Sequence, residues 1–175
     1  MNEKSESKKS PTQWIVVIVT LAVIASAAIW LGVRSTDAQG AEIVVYKTPT
    51  CGCCGNWVTH LRDHGFEVSV VNVSDTQSAR ERLGVPRRLG SCHTAQIGKY
   101  WVEGHVPADL IKKLLTEQPD EIRGITVPGM PIGSPGMEGP NPVTYDVLAY
   151  GSNGKTTVYA KRKGHEFLTE SADVN

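Results

Sequence analysis

Four cysteines carry the chemistry of this chain, and three of them fall within four residues: Cys51-Gly52-Cys53-Cys54, with Cys92 the fourth. Cys51 and Cys54 form a C-x-x-C pair, a spacing at which two thiols trade electrons by closing and opening a disulfide, and Cys53 adds a thiol between them. At a helix amino terminus, free backbone N–H groups and the helix dipole favour thiolate over thiol. Thiolates are both nucleophiles and soft metal ligands, so one geometry serves redox exchange and metal binding. Gly52 and Gly55 let the backbone curl tightly around a ligand. The competing reading is a structural set, Cys51–Cys54 with Cys53–Cys92. A bridge inside the run closes a tiny loop and constrains little of the unfolded chain, so stability is a weak reason for the pattern. Zinc suits four thiolates, but structural zinc sites usually draw on two separated knuckles, and the second half here is Cys92-His93.

Further soft donors lie downstream. Apart from Met1, the methionines are Met130 and Met137, in a seven-residue repeat, Pro128-Gly129-Met130 and Pro135-Gly136-Met137. A single methionine reads as a core filler; two in matching Pro-Gly contexts, in a loop too kinked for core, read as thioether ligands, which prefer Cu(I) to Zn(II). His93 adjoins Cys92 and His105 precedes a helix, so both can reach the cluster as ligands or stand as surface or capping residues. His60 and His64 sit near the carboxyl end of the first helix, where a structural role is expected. His165 falls in a charged tail. Thiolate, imidazole and thioether together select a soft metal, and copper(I) fits that mixture best. Ferredoxin spacings differ and leave methionine no role.

These residues need elements to position them. Residues 43–47 read as a buried strand ended by Thr48-Pro49, and 56–64 as a helix with Trp57, Val58 and Leu61 on one face and Gly65 as its stop. A strand over 66–73 and a polar helix over 75–83, capped by Ser74 or Asp75, come next. Residues 94–97 and 100–102 pair as a hairpin across Gly98-Lys99. Pro107 opens a helix with Leu110, Ile111, Leu114 and Leu115 on its apolar stripe. The order β-α-β-α-β-β-α is that of a thioredoxin-like α/β domain, with the cysteines at the first strand-helix junction. After the Pro/Gly loop of 127–142, a second hairpin over 144–150 and 156–162 turns at Asn153-Gly154, a type I′ signal, and is expected to extend or cover the sheet.

Ahead of the domain, residues 14–33 run without a formal charge, about 30 Å as a helix, the thickness of a bilayer's hydrocarbon core. Trp14 and Trp30 lie near its ends, and Lys4, Lys8 and Lys9 bias the amino terminus to the cytoplasm. The expected organisation is a cytoplasmic tail (1–13), a transmembrane anchor (14–33), a linker (34–42), a metal-binding domain (43–162) and a polar tail (163–175). A cleaved signal peptide, with Ala25-Ser26-Ala27 as its site, is the alternative. Either way the domain is expected in the periplasm, held at the inner membrane in the first case. The chain has 175 residues and 18 basic against 18 acidic groups, which excludes a large multi-domain enzyme and leaves no net field for nucleic acid.

Four motifs together, Tyr-Lys-Thr-Pro-Thr-Cys-Gly-Cys-Cys (46–54), Ser-Cys-His-Thr-Ala (91–95), Val-Glu-Gly-His-Val-Pro-Ala (102–108) and Val-Pro-Gly-Met-Pro-Ile-Gly-Ser-Pro-Gly-Met-Glu (127–138), resemble the CopG-like family. The resemblance spans about residues 42–162. It implies a thioredoxin-like fold, periplasmic copper handling and a thiolate-bound, multinuclear Cu(I) site capable of redox change. Carried over residue by residue, Cys51, Cys53, Cys54 and Cys92 match the family's cysteines, with His93, His105, Met130 and Met137 near them as ligands. As an enzyme the chain would be a copper oxidoreductase using Cys51 and Cys54, with a copper exporter or an electron donor as partner. The alternatives are a copper chaperone or sensor without turnover, and a metal-free thiol–disulfide oxidoreductase.

Overall fold

The computed structural model describes residues 41–164 and 166–168. The expected anchor, His165 and the end of the polar tail lie outside the described residues. Among those described, no helix is long and apolar enough to cross a membrane.

Strand β1 (Glu42–Lys47) buries Ile43 and Val45 completely and ends at Thr48-Pro49. Helix α1 (Gly52–Asp63) begins earlier than the apolar pattern implied, taking Gly52, Cys53 and Cys54 into its first turn with Cys51 as N-cap. Cys54, Trp57, Val58 and Leu61 form its buried face, and Gly65, in left-handed conformation, follows its end. Strand β2 (Glu67–Asn72) runs parallel to β1 as the sheet's edge. Helix α2 (Gln77–Leu83) has Thr76, not Ser74 or Asp75, at its N-cap position; the Asp75 carboxylate instead accepts from Gln77 N–H at 2.8 Å. A 3-10 turn (Arg87–Leu89) leads to the expected hairpin of β3 (Thr94–Ile97) and β4 (Tyr100–Glu103). Helix α3 (Ala108–Glu117) buries Leu110, Ile111 and Leu114.

Two strands had not been expected. β5 (Ile122–Thr126) pairs parallel with β4, and β8 (Glu166–Leu168) pairs with β7, inside what had been read as a polar tail. Between them β6 (Thr144–Gly151) and β7 (Thr156–Lys163) form the C-terminal hairpin, which extends the sheet as expected, with β6 antiparallel to β5. Its turn is not type I′: only Gly154 of the Asn-Gly pair has a positive φ, and Gly154 N–H closes onto Gly151 O at 3.0 Å.

The result is one eight-stranded mixed sheet in the order β2-β1-β3-β4-β5-β6-β7-β8. Residues of α1 and α3 share the main core with Ile43, Val45, Val102, Ile125 and Val147. Trp101, one residue from Val102 and so on the opposite face, packs with Val85, Leu89 and Leu83 beside α2. The end of the sheet where β1 gives way to α1, and where the loops into β3 and α3 converge, carries the cysteines.

Candidate metal centre

Cys51 stands at the junction of β1 and α1, its N–H bonded to Thr48 O at 3.2 Å. Cys92 lies 38 residues beyond Cys54, in the loop entering β3, yet Cys54 Sγ is 3.8 Å from the Cys92 carbonyl oxygen. The sulfurs of Cys51, Cys53, Cys54 and Cys92 all lie within 4.8 Å of one another. Cys51 and Cys54 are joined as a disulfide, whereas Cys53 and Cys92 are free, with Cys53 Sγ 3.6 Å from Cys51 Sγ. The expected convergence is therefore present in an oxidised form, with two thiols beside a C-x-x-C bridge in place of four thiolates.

The histidines meet the cluster at Cys92. Cys92 Sγ lies 3.2 Å from His93 Nδ1 and 3.1 Å from His105 Nε2, and these three donors also fall within 4.8 Å of one another. His105 Nδ1 is 2.8 Å from Pro135 O, which can only accept, so Nδ1 carries the proton and Nε2 turns its lone pair to the sulfur. Fixing a tautomer through the remote ring nitrogen is how metal-ligating histidines are commonly oriented. Burial lowers the pKa of His105. Burial, with His105 beside it, brings His93 down to about 3, against the pull of the Gly104 backbone. Both imidazoles are thus neutral near pH 7. Burial and the neighbouring Cys53 push the Cys92 thiol up to about 12, so in the metal-free chain it is protonated. Two neutral imidazoles, the free thiols of Cys53 and Cys92 and, once their bridge is reduced, Cys51 and Cys54 make a donor set that a soft cation satisfies.

The Pro-Gly-Met repeat docks on this pocket through its backbone. Gly136 packs on the first turn of α1, where a Cβ would stand 2.7 Å from both Cys53 O and Trp57 N. In the other copy, Gly129 O accepts from Ser91 Oγ at 2.7 Å, next to Cys92. Met137 is half-buried and Met130 is 51% exposed, so the second copy is seated more deeply than the first.

Trp57 was legible as a core residue, but its second role was not. Its indole N–H donates to Val106 O at 2.8 Å, and its ring lies 4.3 Å from that of His93, joining α1 to both histidine loops. Glu103 and Arg80 were not singled out either. A charged residue ending the run Tyr-Trp-Val-Glu was the available signal for Glu103; nothing in its polar helix marks Arg80. His60 and His64 do structural work: Ala108 N–H donates to His60 Nε2 at the start of α3, and His64 Nδ1 donates to His60 O.

A C-x-x-C pair at the start of a helix on a β-α-β-α-β-β-α sheet defines the class: a thioredoxin-like domain with a C-terminal extension of the sheet. Residues 43–86 match the Glutaredoxin family, and residues 89–137 match the family described as Protein of unknown function, DUF411. Two solved structures, "Copper resistance protein copG- Form 1" and "Form 2", are each 41% identical to this chain. They cover 72% and 71% of it, and 100% and 99% of their own lengths, with TM-scores of 0.67 and 0.66. The chain belongs to the CopG family. No protein with a curated description matches it.

Proposed function

We propose that this chain binds Cu(I) through Cys51, Cys53, Cys54 and Cys92, with His93 and His105 as further ligands and Met130 and Met137 as thioether donors at the rim. Several ions are held at once, because a thiolate can bridge two. The copper is handled as substrate: reduced Cys51 and Cys54 pass one electron to each of two Cu(II) ions, leaving their disulfide, two Cu(I) and two protons. An electron donor that reopens the bridge completes the cycle, and an exporter removes the copper. The uncharged run of 14–33 supports a periplasmic domain held at the inner membrane, with signal cleavage as the alternative; fractionation of cells separates them by whether the chain is membrane-bound or a shorter soluble form.

The observation that carries the reading is four sulfurs within 4.8 Å of one another, two already paired and two free, with the free Cys92 also beside two neutral histidines. The likeness to copper resistance proteins supports copper as the metal. The test is anaerobic mixing of the reduced full chain with Cu(II), counting Cu(I) by a chromogenic chelator and mapping bridges by mass spectrometry. Two Cu(I) per Cys51–Cys54 bridge is the expected result; intact thiols beside unreduced Cu(II) overturn the redox role. Metal-free disulfide exchange is the second reading, favoured by the glutaredoxin match over 43–86. Cys53→Ser separates the two, since plain exchange keeps its rate and copper handling does not.

A further inference from the structure

The loop that carries Cys92 is tied down by a buried ion pair set back from the sulfurs. Glu103 is fully buried, and its Oε1 accepts from Ser91 N–H at 2.6 Å and from Arg80 Nε–H at 2.8 Å. The same guanidinium donates through its terminal nitrogen to Ser91 O. Both peptide groups of Ser91 are thus held by the two partners of one ion pair, while its hydroxyl holds Gly129 O. Gly104, at φ +71, sits so close that a Cβ would stand 2.7 Å from Ser91 Oγ and 2.5 Å from Val127 O. Arg80 comes from α2, so the loop is gripped from the face of the sheet opposite α1 and its cysteines.

As a source of stability this arrangement is poor. The side chains are 14% and 0% exposed, and the cost of removing two charges from water is roughly what their attraction returns. Glu103 Oε2 and the hydroxyl of Thr94, its cross-strand neighbour, are both buried. Burial raises the Glu103 pKa, against the pull of Ser91 N–H, Arg80 and Thr94. What a planar fork and a carboxylate do supply is direction.

We propose that the Arg80–Glu103 pair is the positioning device of the metal centre, setting where Cys92 Sγ stands relative to Cys51, Cys53 and Cys54. Its purpose rests on the copper reading above; the position of Cys92 can be read without copper. In the chain with the Cys51–Cys54 bridge closed, diamide drives Cys53 and Cys92 together: two thiols give up two protons and two electrons, and the diazene becomes a hydrazine. The rate of that second bridge is measured in the full chain and in Glu103→Gln, Arg80→Lys and, as control, Arg87→Gln, whose ion pair with Glu81 lies on the surface. The expected result is a fall of about tenfold or more in the first two variants and none in the control. The Cys51–Cys54 bridge, which the clamp does not touch, should form at its wild-type rate, as general loosening would not allow. Cu(I) affinity should fall about 10- to 100-fold in the same two variants. If Glu103→Gln does not fold, Arg80→Lys decides, since it keeps the charge and loses the fork. An unchanged Cys53–Cys92 rate overturns the proposal whatever copper does. A wild-type chain that binds no copper, with the variants still slow to cross-link, supports the positioning claim and defeats the copper reading.

Discussion

His93 and Cys92 are neighbours kept neutral by the same burial, with opposite consequences for pH. With a folded pKa of about 3 against an ordinary 6.5, His93 takes up no proton where the unfolded chain does. The stability it contributes is complete above pH 6.5 and shrinks as pH falls toward 3. Between pH 7 and 4.5 the metal-free wild type should lose about 2 to 3 kcal/mol more than His93→Gln, as read by chemical denaturation at the two pH values. Equal losses would contradict a buried neutral imidazole. Cys92 works from the other side: a thiol pushed up to about 12 must shed its proton to hold a metal. Cu(I) loading should therefore tighten as pH rises, by about tenfold per unit for each proton displaced. Chelator competition between pH 6 and pH 8 measures it, and a flat affinity would remove Cys92 from the ligand set.

The Pro-Gly-Met repeat shows what the sequence could and could not disclose at the scale of an element. Its spacing and its sulfurs are plain in the sequence; its contacts with the site are those of Pro135 O, Gly136 and Gly129 O, which spacing does not reveal. Gly136 and Gly129 have similar positive φ, +82 and +73, but a Cβ at Gly129 meets nothing within 4 Å. Gly129→Ala should therefore cost about 1 to 2 kcal/mol of backbone strain. Gly136→Ala adds a collision with α1 and should cost more, about 3 kcal/mol or beyond, while lowering copper stoichiometry. Denaturant melts of both variants check this, and equal costs would mean the loop is not seated on the helix. The core strands and helices were legible because apolar period and breakers are local signals. β5 was not: Ile122-Arg123-Gly124-Ile125-Thr126 is short and broken by glycine, and its strand character comes from pairing with β4 and β6. The start of α1 was obscured by its two glycines and three cysteines. Arg80 and Glu103, 23 residues apart, meet only once the sheet is built.

Across the whole molecule, the matches to the two family models end at residue 137, but the core does not. Tyr145, Val147, Ala149 and Ala160 of the C-terminal hairpin belong to the same cluster as Trp57 and Leu61, and Arg162 of β7 pairs with Asp109 of α3. A chain ended after Pro142 would bare the edge of β5 and Ile125, so it should lose cooperative unfolding in a thermal melt; a sharp transition near that of the full chain would show the extension to be an accessory. The repeat before the extension seats on the first turn of α1 and beside Cys92, so fold and site stand together. The most direct test of that site is X-ray absorption at the copper edge of the full chain, reduced and loaded anaerobically with Cu(I). The account predicts a first shell dominated by sulfur, with copper–copper scattering behind it, both diminished in Cys92→Ser. A shell of nitrogen and oxygen alone, unaltered by Cys92→Ser, would contradict it.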